Sequence, residues 1–216
     1  MHIDTTTDHC GTTLLYDFLF SQMDYLWETT AVKSFVEDVC LYDTWRFDKS
    51  KETNSENLNV LLGLVGSDEF ELMVTSWVYG EPTSPFEVSE MDIYPFVEYD
   101  HRQRKEYCAV RNHSMKRVQY KGYVVAVAFA ERYISMVGDY ILDKNPDVDF
   151  CAVVNLPKSI SLRTRRDDIN MGVDIARPLG GGGHPKAAGY QLDTIPESLL
   201  KELIRFNEDE AISSRE

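Results

Sequence analysis

Four cysteines in 216 residues, Cys10, Cys40, Cys108 and Cys151, form no CxxC pair and accompany no paired histidines. Neither a zinc knuckle nor a disulfide framework is suggested, and reduced, buried thiols are expected. Cations are scarce too: Lys+Arg 22 against Asp+Glu 36 gives a formal net charge of -14. Such an acidic surface repels duplex DNA at long range, while a small anion can still bind where the few basic residues cluster. No apolar run reaches about 18 residues, so no membrane span is expected. The start, MHIDTTTDHC, has neither the basic nor the apolar region of a signal peptide, and the expected location is cytoplasmic. Internal repeats and low-complexity tracts are missing as well.

What is present is enough apolar material for a core, 43% hydrophobic and 12% aromatic. GTTLLYDFLFSQ sets Leu14, Leu15, Phe18 and Leu19 at helical spacing, and residues 28–48 set Val32, Phe35, Val36, Val39 and Cys40 on a second helical face. Residues 49–59 read as a polar loop, followed by two short helices in LNVLLGLV and GSDEFELMVTSWVYG. The two prolines and glycine of GEPTSPFE mark a boundary. Mixed charged and aromatic residues from Glu90 to about His113 read as a connecting helix. His101 and His113 on it read as solvated, and Trp45 and Trp77 as packing residues.

Beyond about residue 115 the texture changes. MKRVQYKGYVVAVAFAE is rich in β-branched residues split by Lys121-Gly122, a hairpin signal. RYISMVGDYILDKNP reads as a helix, DVDFCAVVNLP as a buried strand, and SISLRTRR as an edge strand. DINMGVDIARPL reads as a short helix, AAGYQLD as a strand, and TIPESLLKELIRF as a helix capped by Thr194 with Glu197 three residues on. The expected fold class is α/β: residues 1–85 a mostly helical domain, 86–115 a connecting helix, and 116–216 a mixed-sheet domain.

GGGGHPKAAGYQL, Gly180 to Leu192, is the stretch most rich in chemistry. A lone run of four glycines reads as a linker, but this one leads straight into Ala187, Ala188 and Gly189, which read as packed. GxxxxGK[ST] fails because Ala187 follows Lys186, and the dinucleotide fingerprint fails for want of a preceding strand and a spaced acid. A nest of glycine N–H groups with His184 and Lys186 as added donors remains, with Lys158, Arg163, Arg165, Arg166 and Arg177 upstream.

SLRTRRDDINMGVDIARPLGGGGHPKAAGYQL resembles the closing motif of the DHH-associated C-terminal domain of the DHH phosphoesterase superfamily. Upstream, YVVAVAFAERYISMVGDYIL resembles that domain's first strand and helix, and VEDVCLYDTWRFD resembles the fourth metal-site motif of the short-oligoribonucleotide branch. The resemblance implies a phosphodiesterase of short oligoribonucleotides or cyclic dinucleotides. By it, Ser161, Arg163, Gly181, Gly182, Gly183 and His184 hold substrate, and Asp43 is a ligand of two Mn2+ (or Mg2+) ions. Three further metal motifs of the family precede this region. Either Asp8, His9 and Cys10 form a degenerate one, or the true motif lies upstream of Met1 and Asp4 and Asp8 are turn or capping residues; the helix-to-Asp43 spacing favours the second. One carboxylate cannot hold two cations. The functions this leaves are a phosphodiesterase completed by a second chain or homodimer, a non-catalytic nucleotide-binding module, and an RNA-binding module, the last disfavoured by the acidic charge.

Overall fold

The computed structural model describes residues 9–22, 29–48, 51–80, 82–156, 158–192 and 194. The chain divides into two compact units, Met1–Gln103 and Arg104–Glu216.

The first unit is helical, with α1 (Gly11–Gln22), α2 (Thr30–Asp43), α3 (Asn54–Val65), α4 (Ser67–Tyr79) and the opening of α5 (Tyr94–Ser114). Thr29 and Thr53 cap α2 and α3, their side chains accepting from the N–H groups of Val32 and Glu56, which satisfies donors that every helix start leaves open. Helix α3 therefore begins inside the stretch expected to be a polar loop. Its polar residues turn inward because they have partners: Asn54 and Ser55 donate to the Asp38 carboxylate at 2.8 and 2.9 Å. His101 departs from expectation for the same reason. It is buried, with Nε2 2.7 Å from Asn57 Oδ1, whereas His113 is exposed.

Leu58, Val60, Leu61, Phe86, Val88 and Val97 form the core of this unit. Trp77 packs on Phe35 and Phe86, and Trp45 on Tyr42 and Phe47, so both tryptophans pack as expected. Helix α1 forms where the spacing places it, yet Leu14, Leu15, Phe18 and Leu19 are all exposed. No helix among the described residues is long and apolar enough to cross a membrane.

The second unit is built on one sheet. Its strands are β1 (Lys116–Tyr120), β2 (Tyr123–Phe129), β3 (Phe150–Asn155), β4 (Ser159–Thr164), β5 (Gly182–Gly183) and β6 (Ala187–Gln191), in the order β1-β2-β3-β4-β6-β5. Lys121 and Gly122 both take positive φ, 51° and 85°, the turn that matches strand twist in a two-residue hairpin. Strands β2 and β3 run parallel, with α6 (Ile134–Lys144) between them in sequence, and the other neighbours run antiparallel. The mixed α/β class is thus observed. The expected C-terminal helix, with its Glu197, lies outside the described residues.

Each sheet face has its own core. Ala126, Ala128, Cys151 and Val153 meet Val137, Ile141 and Leu142 of α6 on one face. Val125, Phe150, Leu162 and Ala188 meet Ile169, Met171, Ile175 and Ala176 on the other. Here the sequence reading is corrected: β4 lies inside the sheet, between β3 and β6, and is no edge strand. Its alternating serines and arginine imitate a solvated face, but one side of the strand is covered by α6.

Asp149 clamps the entry to β3. Its carboxylate accepts from the Val124 N–H at 2.6 Å and from the Arg166 guanidinium, and chiefly the backbone bond holds its pKa below the ordinary carboxylate value. A depressed folded pKa stabilises above the unfolded value and is lost as pH falls. Asp149→Asn is expected to cost about 1–3 kcal/mol at neutral pH. In urea titrations the gap between wild type and variant closes below about pH 4; an equal gap at pH 7 and pH 3 would overturn this account.

Candidate functional site

Strand register brings together the residues that the sequence singles out. Arg163 pairs with Ala187, and Ala187 exchanges backbone hydrogen bonds with His184 across the turn His184-Pro185-Lys186-Ala187, at 2.7 and 3.2 Å. One register step away, Ser161 pairs with Gly189, and Gly189 with Gly182. Two cross-strand rows result, Arg163–Ala187–His184 and Ser161–Gly189–Gly182. Residues paired across strands share a face, and positions two apart on a strand do too, so both rows lie on the α6 side of the sheet. Helix α6 packs on β3 and β4. Beyond it the face carries only an alanine and two glycines between the β4 side chains and exposed His184, which makes a shelf of backbone.

The glycine run is a close-packed part of this shelf and no tether. A Cβ on Gly181 would stand 2.1 Å from the Gly189 carbonyl oxygen, so only glycine lets the two chain segments approach this closely. Gly183 combines a φ of 138° with a would-be Cβ 2.6 Å from Ala188 Cα. The N–H groups of Gly180, Gly181 and His184 are committed to the carbonyls of Arg177, Ala176 and Ala187. The run therefore offers a ligand a smooth surface more than a ring of inward donors.

Among the cations, structure separates what composition lumps together. Arg165 pairs with Asp139 and Asp143 at 2.6 and 2.8 Å, Arg166 with Asp149 and Asp168, and Lys186 with Asp167. Arg177 and Lys158 are exposed. Arg163 differs from all of these. It is half-buried and makes no ion pair among the described residues, its guanidinium donating to Ser135 Oγ at 2.7 Å and to the Leu162 carbonyl at 3.2 Å. Burial pushes its pKa down, and the field of Asp139 partly offsets this. Gly138 makes room for its stem, since a Cβ there would lie 3.0 Å from Arg163 Cγ. A guanidinium with fork donors unspent beside a side-chain-free surface is suited to phosphate oxygens. The half-buried Ser161 hydroxyl, with no hydrogen-bond partner among the described residues, stands one row along.

Sequence reading missed Ser135, Gly138 and Asp139, which set the position and field of Arg163. All three lie in the ISMVGDYIL helix, where only the apolar spacing was informative. The metal candidates are not brought together. Asp43 ends α2 and is exposed, His9 is exposed, and Asp8 lies outside the described residues. Among the described residues no three His, Cys, Asp or Glu side chains cluster as a metal ion requires.

No family model matches the chain. It is 29% identical over 199 residues to oligoribonuclease NrnB of Bacillus subtilis (strain 168), an alignment that covers 91% of this chain and 49% of that protein. The chain thus spans about half the length of this curated relative. The solved structure of the pGpG-specific phosphodiesterase PggH from Vibrio cholerae is similar with a TM-score of 0.54 at 15% identity, covering 88% of this chain and 69% of that one, a likeness of fold. With the closing motif on its shelf and the relative aligned over nearly the whole chain, the resemblance to the DHH phosphoesterase superfamily holds, in the region of its C-terminal domain.

Proposed function

We propose that this chain is the substrate-binding part of a cytoplasmic, metal-dependent phosphodiesterase, and that its shelf holds the phosphate of a short oligoribonucleotide or a cyclic dinucleotide. The observation that carries this is the alignment of Arg163, His184, Ser161 and Gly182 in two adjacent rows on one sheet face, with a guanidinium unspent among them. The relative NrnB, named an oligoribonuclease, supports the substrate class.

In this reading Arg163 grips two phosphate oxygens, Ser161 donates its hydroxyl, and Gly182 and Gly189 let the phosphate sit against backbone. His184 bounds the open end. A substrate anchored this way is fixed in orientation, which converts an encounter into a positioned reactant. Bond cleavage in such enzymes is supplied by divalent cations, Mn2+ by the family resemblance or Mg2+. The described residues do not fit a two-cation site, since Asp43 has no clustered partners. The remaining ligands then come from a second chain, a second copy, or residues outside the described ones such as Asp8.

The test is manganese-dependent hydrolysis and binding of a fluorescent diribonucleotide bearing a terminal phosphate, with Asp43→Ala as the control. Asp43 is exposed at a helix end, so the variant is expected to fold and to bind as wild type does. Whatever hydrolysis the complete enzyme shows should fall at least about 100-fold in it. Undiminished hydrolysis would remove Asp43 from the metal site. Binding without hydrolysis under all conditions would favour a non-catalytic nucleotide-binding module, and wild-type binding no tighter than to duplex DNA would sink the reading.

A further inference from the structure

The opening of α6 joins the Arg163 shelf to a second group of cations. Arg104 stands over the Tyr133 ring at 5.0 Å, Arg111 over Tyr107 at 4.6 Å, and Arg132 over both rings at 4.9 and 5.3 Å. The two rings meet edge to face at 5.7 Å. Three guanidiniums around two tyrosines are unexpected in a chain of net charge -14. Arg111 and Arg132 make no ion pair among the described residues, and Arg111 Nε is buried with no hydrogen-bond partner. The face of a tyrosine attracts a cation but does not neutralise it, so positive charge persists here.

Place decides what this charge is for. Tyr133, held in left-handed backbone at φ 53°, leads directly into α6, and Ser135, two residues on, holds the Arg163 guanidinium at 2.7 Å. Arg163 and the arginine–tyrosine cluster therefore flank the same helix turn. A single phosphate on the shelf engages only the first of them.

We propose that the cluster of Tyr107, Arg111, Arg132, Tyr133 and Arg104 is a second anionic subsite, which takes the phosphodiester of the nucleotide next to the one held by Arg163. This rests on the reading of the shelf as a phosphate site. Exposed Arg132 supplies the accessible contact, and the tyrosines fix its guanidinium in place so that less freedom is lost on binding. The subsite makes the protein a counter of nucleotides: it separates chains of two or more residues from mononucleotides.

Equilibrium binding of GMP and of a terminally phosphorylated diribonucleotide to wild type, Arg132→Gln, Arg132→Lys and Arg163→Gln tests this. Arg132→Gln is expected to leave GMP affinity unchanged, to weaken the dinucleotide about tenfold, and to reduce the slope of log affinity against log salt by about 0.7. Arg132→Lys should regain the salt slope, which a purely structural role for Arg132 would not do. If Arg132→Gln binds the dinucleotide with unchanged affinity and slope, or weakens GMP equally, the subsite is wrong while the shelf stands. Arg163→Gln without effect on either ligand would instead overturn the shelf and the subsite with it.

Discussion

Arg163→Gln is expected to lower affinity for a terminally phosphorylated diribonucleotide by about 100-fold while leaving the folded state intact. The size follows from what the side chain has unspent. Its hydrogen-bond partners among the described residues are one hydroxyl and its neighbour's carbonyl, and truncating one member of a desolvated charge pair costs about 2–5 kcal/mol, where about 1.4 kcal/mol is tenfold. Glutamine retains a polar end that can still reach Ser135, so loss of binding would report loss of the charge and the fork. The same substitution at Arg165 should behave in the opposite way. Arg165 answers the buried Asp139 at 2.6 Å, so Arg165→Gln should destabilise the unit by removing that ion pair from a buried carboxylate and should affect binding less. Isothermal titration with thermal melts on both variants separates the two. Unchanged affinity in Arg163→Gln would refute the shelf as a phosphate site.

The second large effect comes from two neighbouring glycines that a sequence treats as equivalent. Gly181→Ala would press a methyl to within 2.1 Å of the Gly189 oxygen and 2.6 Å of Tyr190 Cβ. Neither neighbour is the loose end of a flexible chain, so the β5–β6 pairing must open, at a cost of about 3 kcal/mol or more. For a unit of this size that shifts Tm by more than about 10 °C. Gly182→Ala meets nothing within 4 Å, and its stability should stay within about 0.5 kcal/mol of wild type. Its methyl nevertheless lies in the row with Ser161, on the ligand face, and should weaken dinucleotide binding about tenfold. A Gly182→Ala protein as stable as wild type with full affinity would show that the shelf carries no ligand there. A Gly181→Ala protein melting at the wild-type temperature would show that the close approach is not required.

Much of the fold was legible because local signals and tertiary structure agree. The Lys121-Gly122 hairpin, the buried strands YVVAVAF and FCAVVN, and the helices over residues 11–22 and 30–43 follow from turn chemistry and apolar period alone. Legibility failed where a polar residue has a partner distant in sequence. Asn54, Ser55 and His101 read as solvated until Asp38 and Asn57 are brought to them. The β4 strand reads as an edge because a period-2 pattern of Ser159, Ser161 and Arg163 is the same whether water or a helix with a small residue covers that face.

The site divides along the same line. Residue types and order, SLR followed by GGGGH, come from the sequence, as does the resemblance they carry, because motif chemistry is written in consecutive positions. Which cation remains unspent was decided only by tertiary structure. Lys186 and three nearby arginines are equal as letters, and they part only when Asp139, Asp143, Asp149, Asp167 and Asp168 take up Arg165, Arg166 and Lys186 and leave Arg163 against Ser135. An ion pair depends on a few ångströms of separation between residues up to 26 positions apart, and a one-dimensional pattern holds no such distance.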